Sequence, residues 1–162
     1  MQAGKSSIQF EHPPIITSAA SIVGQTEGEG PLASFFDRVE PDPTFGKKSW
    51  EEAESELQRQ TVQKCLDKAG RQAADVNCLF AGDLLGQIVA TSFGVESFDI
   101  PFFGLYGACS TMGEAMILGA MAAGAGYADR VLALASSHFA SAERQFRFPL
   151  AYGNQRPQST TW

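Results

Sequence analysis

Residues 100–136 read IPFFGLYGACSTMGEAMILGAMAAGAGYADRVLALAS, and the order of their apolar segments decides the fold class. Residues 100–106 and 131–136 have the short apolar composition of buried strands, and residues 112–126 between them have that of a buried helix. A helix between two strands is the usual connection of parallel strands. The stretch therefore predicts an α/β fold with a mainly parallel sheet covered by helices on both faces.

The clearest helix begins after Ser49. Ser49 and Glu52 have the S-x-x-E spacing of a capping box, in which each side chain accepts a hydrogen bond from a free backbone N–H. Gly70 is the expected C-terminal cap. Spacing by three and four residues predicts the buried row of this helix as Trp50, Ala53, Leu57, Cys65 and Ala69.

The remaining sequence extends the same alternation. Residues 15–23 and 76–81 are predicted strands, residues 84–93 a short helix, and residues 25–48 a long polar surface connection. We expect both strands to join the sheet of residues 100–106 and 131–136. A chain of 162 residues has the size of one ordinary domain.

Composition narrows the class of protein. With 44% hydrophobic and 19% charged residues the chain has a globular composition, and a net charge of −6 argues against nucleic-acid binding. Three cysteines without a C-x-x-C pair fit reduced thiols inside a cell, and no histidine stands at zinc-ligand spacing. The N-terminal residues lack the apolar segment of a secretory signal, so we expect membrane association to be peripheral at most.

Three residues capable of chemistry follow predicted strands: Asp83, Cys109 and His138. Ligands of open α/β sheets bind at the carboxyl ends of the strands, so we expect these residues along one edge. Cys109 lies between a strand and a helix, where free N–H groups favour thiolate. It could be a nucleophile, or a small residue where the helix passes close to the sheet; GACSTMG lacks G-x-S-x-G spacing and a visible base.

Other candidates have plainer interpretations beside the functional ones. Asp83 fits an N-cap of the following helix better than a catalytic acid. His138 could be a base or an anion ligand, although a lone histidine at a strand end is more often structural. Cys65 and Cys78 are expected in the core. Three arginines among aromatic residues could bind an anion, but a solvated loop is the preferred interpretation: Arg144, Arg147 and Arg156.

The segments AGDLLGQ and FFGLYGACSTMGEAMILGAMAAGAGYADRVLALASSHFASAERQFRFPLAYGNQRPQSTTW closely resemble the stage V sporulation protein AD family of spore-forming Firmicutes. The likeness runs from about Pro13 to Trp162. The resemblance implies a thiolase-like fold, the αβαβα sandwich of β-ketoacyl synthases. It further implies that residues 1–162 are the N-terminal half of a thiolase-like domain, without the C-terminal half.

For function, the resemblance implies binding of dipicolinic acid, free or as its calcium chelate, and assistance of its uptake into the developing spore. Cys109 corresponds to the thiolase nucleophile, and Asp83, Cys109 and His138 carry over as ligand-binding residues. No resident cofactor or metal is implied. The implied partners are membrane proteins of the same operon and a second copy across the sheet edge, with an intracellular location, peripheral at the spore inner membrane. The alternative is an acyltransferase of the thiolase or β-ketoacyl synthase type with Cys109 as nucleophile.

Overall fold

The computed structural model describes residues 2–84 and 87–137. Its first part holds short elements: the strands β1 (Gln2–Ala3), β2 (Ser7–Ile8), β3 (Ile22–Gly24) and β4 (Arg38–Glu40) and the helix α1 (Gln25–Gly28). β1 and β2 pair antiparallel, and β3 and β4 pair parallel as a separate two-stranded sheet. The predicted strand over residues 15–23 is therefore wrong for most of its length, and its end does not join the main sheet.

The larger elements follow in chain order: α2 (Trp50–Ala69), β5 (Cys78–Asp83), α3 (Val89–Val95), β6 (Phe102–Gly104), α4 (Thr111–Gly124) and β7 (Val131–Ser136). The main sheet has the order β6-β5-β7, and both pairings are parallel. This confirms the predicted α/β class with a parallel sheet. The predicted helix over residues 84–93 instead occupies Val89–Val95, five residues later at its start.

Both ends of α2 form as the sequence predicts. The Ser49 hydroxyl accepts from the Glu52 N–H at 3.1 Å, and the Glu52 carboxylate accepts from the Ser49 N–H at 3.3 Å. Gly70 ends the helix with φ +61°, a left-handed conformation that costs glycine little because it has no Cβ. The buried row of α2 lies one position away from the predicted one. Ala53 is buried as predicted, but Leu57 and Cys65 are only half-buried, and the residues after them, Gln58 and Leu66, are buried.

Helices cover both faces of the central strand. Leu79 and Ala81 of β5 pack with Val62 and Leu66 of α2 and Val95 of α3. The alternate residues Cys78 and Phe80 of β5 face the opposite side, where they pack with Ala115 of α4 and Ala128 of the turn after it. Every residue of β5 is buried, as expected for a central parallel strand between two layers.

Candidate functional site

The carboxyl ends of β5, β6 and β7 lie side by side, because the three strands are parallel neighbours. β5 ends at Asp83, which pairs in register with Ser136, the last residue of β7. The Leu84 N–H continues the ladder by donating to the Ser136 carbonyl at 3.1 Å. β6 ends at Gly104, five residues before Cys109. His138, Arg144, Arg147 and Arg156 lie outside the described residues.

Asp83 is fully buried and caps helix α3 from a distance in sequence. Its Oδ2 accepts hydrogen bonds from the Thr91 N–H at 3.1 Å and from the Thr91 hydroxyl at 2.8 Å. Its Oδ1 accepts from the N–H of Ile88, the residue before α3, at 3.3 Å. Asp83 thus satisfies N–H groups at a helix start, but it is not the N-cap that the sequence predicted, because Ile88 is the N-cap and α3 begins six residues after Asp83.

A chain of buried polar side chains extends from Asp83 to α2. The Gln58 amide donates to the Thr91 hydroxyl at 3.0 Å and to the Ser136 hydroxyl at 2.6 Å. The Ser136 hydroxyl in turn donates to Oε1 of Glu54 at 2.6 Å. Glu54 and Gln58 are 3% and 0% exposed, so most of this network lies in the protein interior, with Ser136 half-buried at its end. Glu54 and Gln58 belong to an i, i+4 row with Val62 and Leu66, a spacing that could have revealed them in the sequence.

Cys109 is exposed and lies in a 3-10 turn, Ala108–Ser110, that leads directly into α4. Ala108 has φ +50°, a left-handed conformation that is uncommon for a residue with a Cβ. The Ser110 hydroxyl lies within hydrogen-bonding distance of two acceptors, the Gly107 carbonyl at 2.7 Å and the Glu114 carboxylate, and its single proton can be donated to either. The predicted turn between strand and helix is present, and it presents the thiol at the surface.

The start of α4 packs tightly on the sheet through Gly82. A Cβ at Gly82 would collide with the Leu105 carbonyl and would lie 2.8 Å from Cγ2 of Thr111. Thr111 is 2% exposed, and its hydroxyl accepts from the Gly107 N–H at 3.3 Å. Glycine is needed at this position because the chain after β6 crosses directly over the strand.

Asp83 and Cys109 therefore share an edge but belong to different faces of the sheet. Side chains alternate along a strand, so Gly82 faces the α4 layer while Asp83 faces α2 and α3. The hydrogen-bond partners of Asp83 come from α3 and the residue before it, whereas Cys109 precedes α4. Within residues 2–84 and 87–137, no group of three or more His, Cys, Asp or Glu side chains could hold a metal ion.

The other two cysteines are less accessible than Cys109. Cys78 is buried, and burial raises the pKa of its thiol. Cys65 is half-buried; its carbonyl accepts from the Ser18 hydroxyl at 3.0 Å. Cys109 is therefore the one thiol of the described chain that a solute can reach freely.

These features define an α/β protein with an accessible cysteine between a parallel strand and a helix, at the carboxyl edge of the sheet. The family model of Stage V sporulation protein AD matches residues 4–162. The chain is also 41% identical, over 158 residues, to Stage V sporulation protein AD of Bacillus subtilis (strain 168). The chain belongs to the stage V sporulation protein AD family, as the sequence resemblance predicted. The aligned part covers 98% of this chain and 47% of that relative, so the chain spans about half the relative's length.

Proposed function

We propose that this protein binds dipicolinic acid, free or as its calcium chelate, and assists its uptake into the developing spore. Membership in a sporulation family supports a role in spore formation. The observation that carries the site is the exposed turn at Cys109, at the carboxyl edge of a parallel sheet, where α/β proteins bind ligands. In this proposal Cys109 and His138 line the ligand, and Asp83 shapes the site from the opposite face of the sheet.

The charge at the turn favours one form of the ligand. The Glu114 carboxylate lies over the turn, held by the Ser110 hydroxyl. A carboxylate repels the free dipicolinate dianion, whereas a one-to-one calcium chelate is neutral and offers a cation to carboxylate oxygens. We therefore expect the chelate to bind more tightly than the free acid.

Calorimetric titration of the complete gene product with dipicolinate, with and without calcium, tests the proposal. His138→Ala should weaken binding without unfolding the protein, and Cys109→Ala should weaken it less, because a thiol is a weak hydrogen-bond donor. Glu114→Gln should narrow the difference in affinity between the calcium chelate and the free acid. Glu51→Gln, which removes an exposed charge from the first turn of α2, is the matched control. Failure of the unsubstituted protein to bind either form refutes the proposal.

A second candidate function is acyl transfer through a thioester on Cys109. It is favoured by the accessible thiol and by the left-handed φ of Ala108 next to it, since strained backbone is frequent at nucleophiles. The thiolate would attack the acyl carbonyl of acyl-coenzyme A and release coenzyme A as the leaving thiol. Mass spectrometry after incubation should then show an acyl adduct that Cys109→Ala abolishes. An unmodified protein excludes this function.

We further propose a thiolase-like architecture, of which residues 1–162 form the N-terminal half. A second copy would pair along β6, an edge strand of the sheet in the described chain. The proposed location is peripheral at the spore inner membrane, beside membrane proteins of the same operon. In the described residues, no helix combines the length and apolarity that crossing a membrane requires.

A further inference from the structure

The hydrogen bonds of Gln58 have a fixed direction. The hydroxyls of Thr91 and Ser136 each donate to a carboxylate, Asp83 in one case and Glu54 in the other. Each hydroxyl has one proton, so it can only accept from Gln58. An amide –NH₂ offers two protons, and the Gln58 side chain supplies one to each hydroxyl.

This geometry ties together four elements that surround the strand ends. Gln58 lies on α2, Thr91 on α3, Ser136 at the end of β7, and Thr91 holds Asp83 at the end of β5. α2 and α3 also meet closely, since the Ser55 hydroxyl donates to the Ala90 carbonyl at 2.8 Å. Gln58 is 0% exposed, and its Oε1 has no hydrogen-bond partner within the described residues. An amide that leaves its own oxygen unpartnered, at a cost in stability, is held there by its two donor contacts.

We propose that Gln58 is a positioning residue for the candidate site. Its two hydrogen bonds fix the carboxyl-terminal ends of β5 and β7 relative to the helices, and so set the backbone edge on which the ligand rests. The inference rests on the proposed ligand-binding function, and it adds a residue that contacts no ligand. Replacing a residue that holds the ligand-contacting groups in place, without touching the ligand itself, commonly changes affinity by about 10-fold or more.

Two substitutions separate positioning from packing. Gln58→Met keeps the length of the side chain and removes both hydrogen bonds. Gln58→Glu keeps the shape but replaces the donor by an acceptor, so the two hydroxyls can serve it only by leaving Asp83 and Glu54. The titratable groups that face this position are Glu54 on α2 and Asp83 on β5; the contacts from α3 and β7 are hydroxyls. Gln63→Met and Gln63→Glu, on the exposed side of α2, are matched controls.

The test measures calcium dipicolinate affinity across pH 5 to 8, with hydrogen exchange of residues 88–95 and 131–136. Gln58→Met should lose about 10-fold in affinity at every pH, with faster exchange in both segments. Gln58→Glu should lose as much affinity for calcium dipicolinate at pH 8 and regain it toward pH 5, because protonation of the new glutamate gives the side chain a hydrogen-bond donor again. Equal affinity of the Gln58 and Gln63 variants, or loss in Gln58→Glu independent of pH, overturns the inference while leaving the proposed function intact. Absence of binding by the unsubstituted protein refutes both.

Discussion

Replacing Asp83 should destabilise the fold, because the structure gives this carboxylate a capping role. Asp83→Ala removes an acceptor that serves the Thr91 N–H at 3.1 Å, the Thr91 hydroxyl at 2.8 Å and the Ile88 N–H at 3.3 Å. A buried donor without a partner costs about 1–3 kcal/mol. Thr91 is 0% exposed, so its two donors cannot turn to water. We expect a loss of about 3–5 kcal/mol in the free energy of unfolding.

Asp83→Asn refines this expectation. An asparagine carbonyl can still accept from Thr91, but its –NH₂ would face the N–H of Ile88, donor against donor. A loss of about 1.5–3 kcal/mol should result. Thr91→Val removes the hydroxyl from the same contact, so the double variant should lose less than the sum of the single losses.

Urea denaturation of the complete gene product, followed by circular dichroism, measures these losses. Asp129→Asn, at an exposed position in the loop before β7, is the control and should change stability by less than about 0.5 kcal/mol. If Asp83→Asn has the stability of the unsubstituted protein and yet abolishes dipicolinate binding, Asp83 contacts the ligand and the capping argument is refuted.

Timed alkylation with peptide mapping should label exposed Cys109 before buried Cys78, whose thiol pKa is raised by burial; equal protection would contradict this. Glu56→Gln should cost about 0.5–1 kcal/mol at pH 7 in urea denaturation, and progressively less as the pH falls from 4.5 to 2. The Arg59 guanidinium, together with Gln60 and Lys47, lowers the pKa of the Glu56 carboxyl from 4.5 to about 2, so this stabilisation is present above pH 4.5 and is lost as the pH falls through 2. The outer face of α4 is apolar, with Ile117 57% exposed, so Ile117→Glu should reduce self-association of residues 1–162 in sedimentation velocity. An equal reduction by Phe93→Glu on α3 would show that the α4 face is not the contact.

The sequence predicted those elements whose signals are local. Ser49, Glu52 and Gly70 define the ends of α2 through hydrogen bonds within a few residues, and these caps form as predicted. The apolar run Val131–Ser136 is the observed β7. Residues 15–21 failed as a strand because apolar composition alone cannot specify a partner, and in the structure Ile15 and Ile16 are 81% and 74% exposed.

Non-local pairing explains what the sequence missed at the candidate site. The sequence does not predict Gln58 in the interior, because a polar residue on a helix is ordinarily assigned to the solvent side. Its burial depends on Ser136, which lies 78 residues away. Asp83 is predicted as the N-cap of a helix that begins at residue 84, whereas α3 begins at Val89 with Ile88 as its N-cap. Asp83 serves this helix through hydrogen bonds to Ile88 and Thr91, five and eight residues later in the sequence, which helix-start signals do not reveal.

The placement of Asp83 relative to Cys109 follows from two rules that act together. Parallel strands bring their carboxyl ends to one edge, and this rule alone predicted that the two residues would converge. Alternation of side chains then assigns successive residues to opposite faces, so that Gly82 admits the chain that leads to Cys109, whereas Asp83 enters the network of Gln58. One edge therefore supports two chemically different environments: an accessible thiol on the α4 side and a largely buried polar network on the α2 side. Asp83 would influence a ligand that contacts Cys109 only indirectly, by fixing the position of the β5 backbone. For this reason mutation of the buried network should alter the affinity for the ligand without removing a ligand contact.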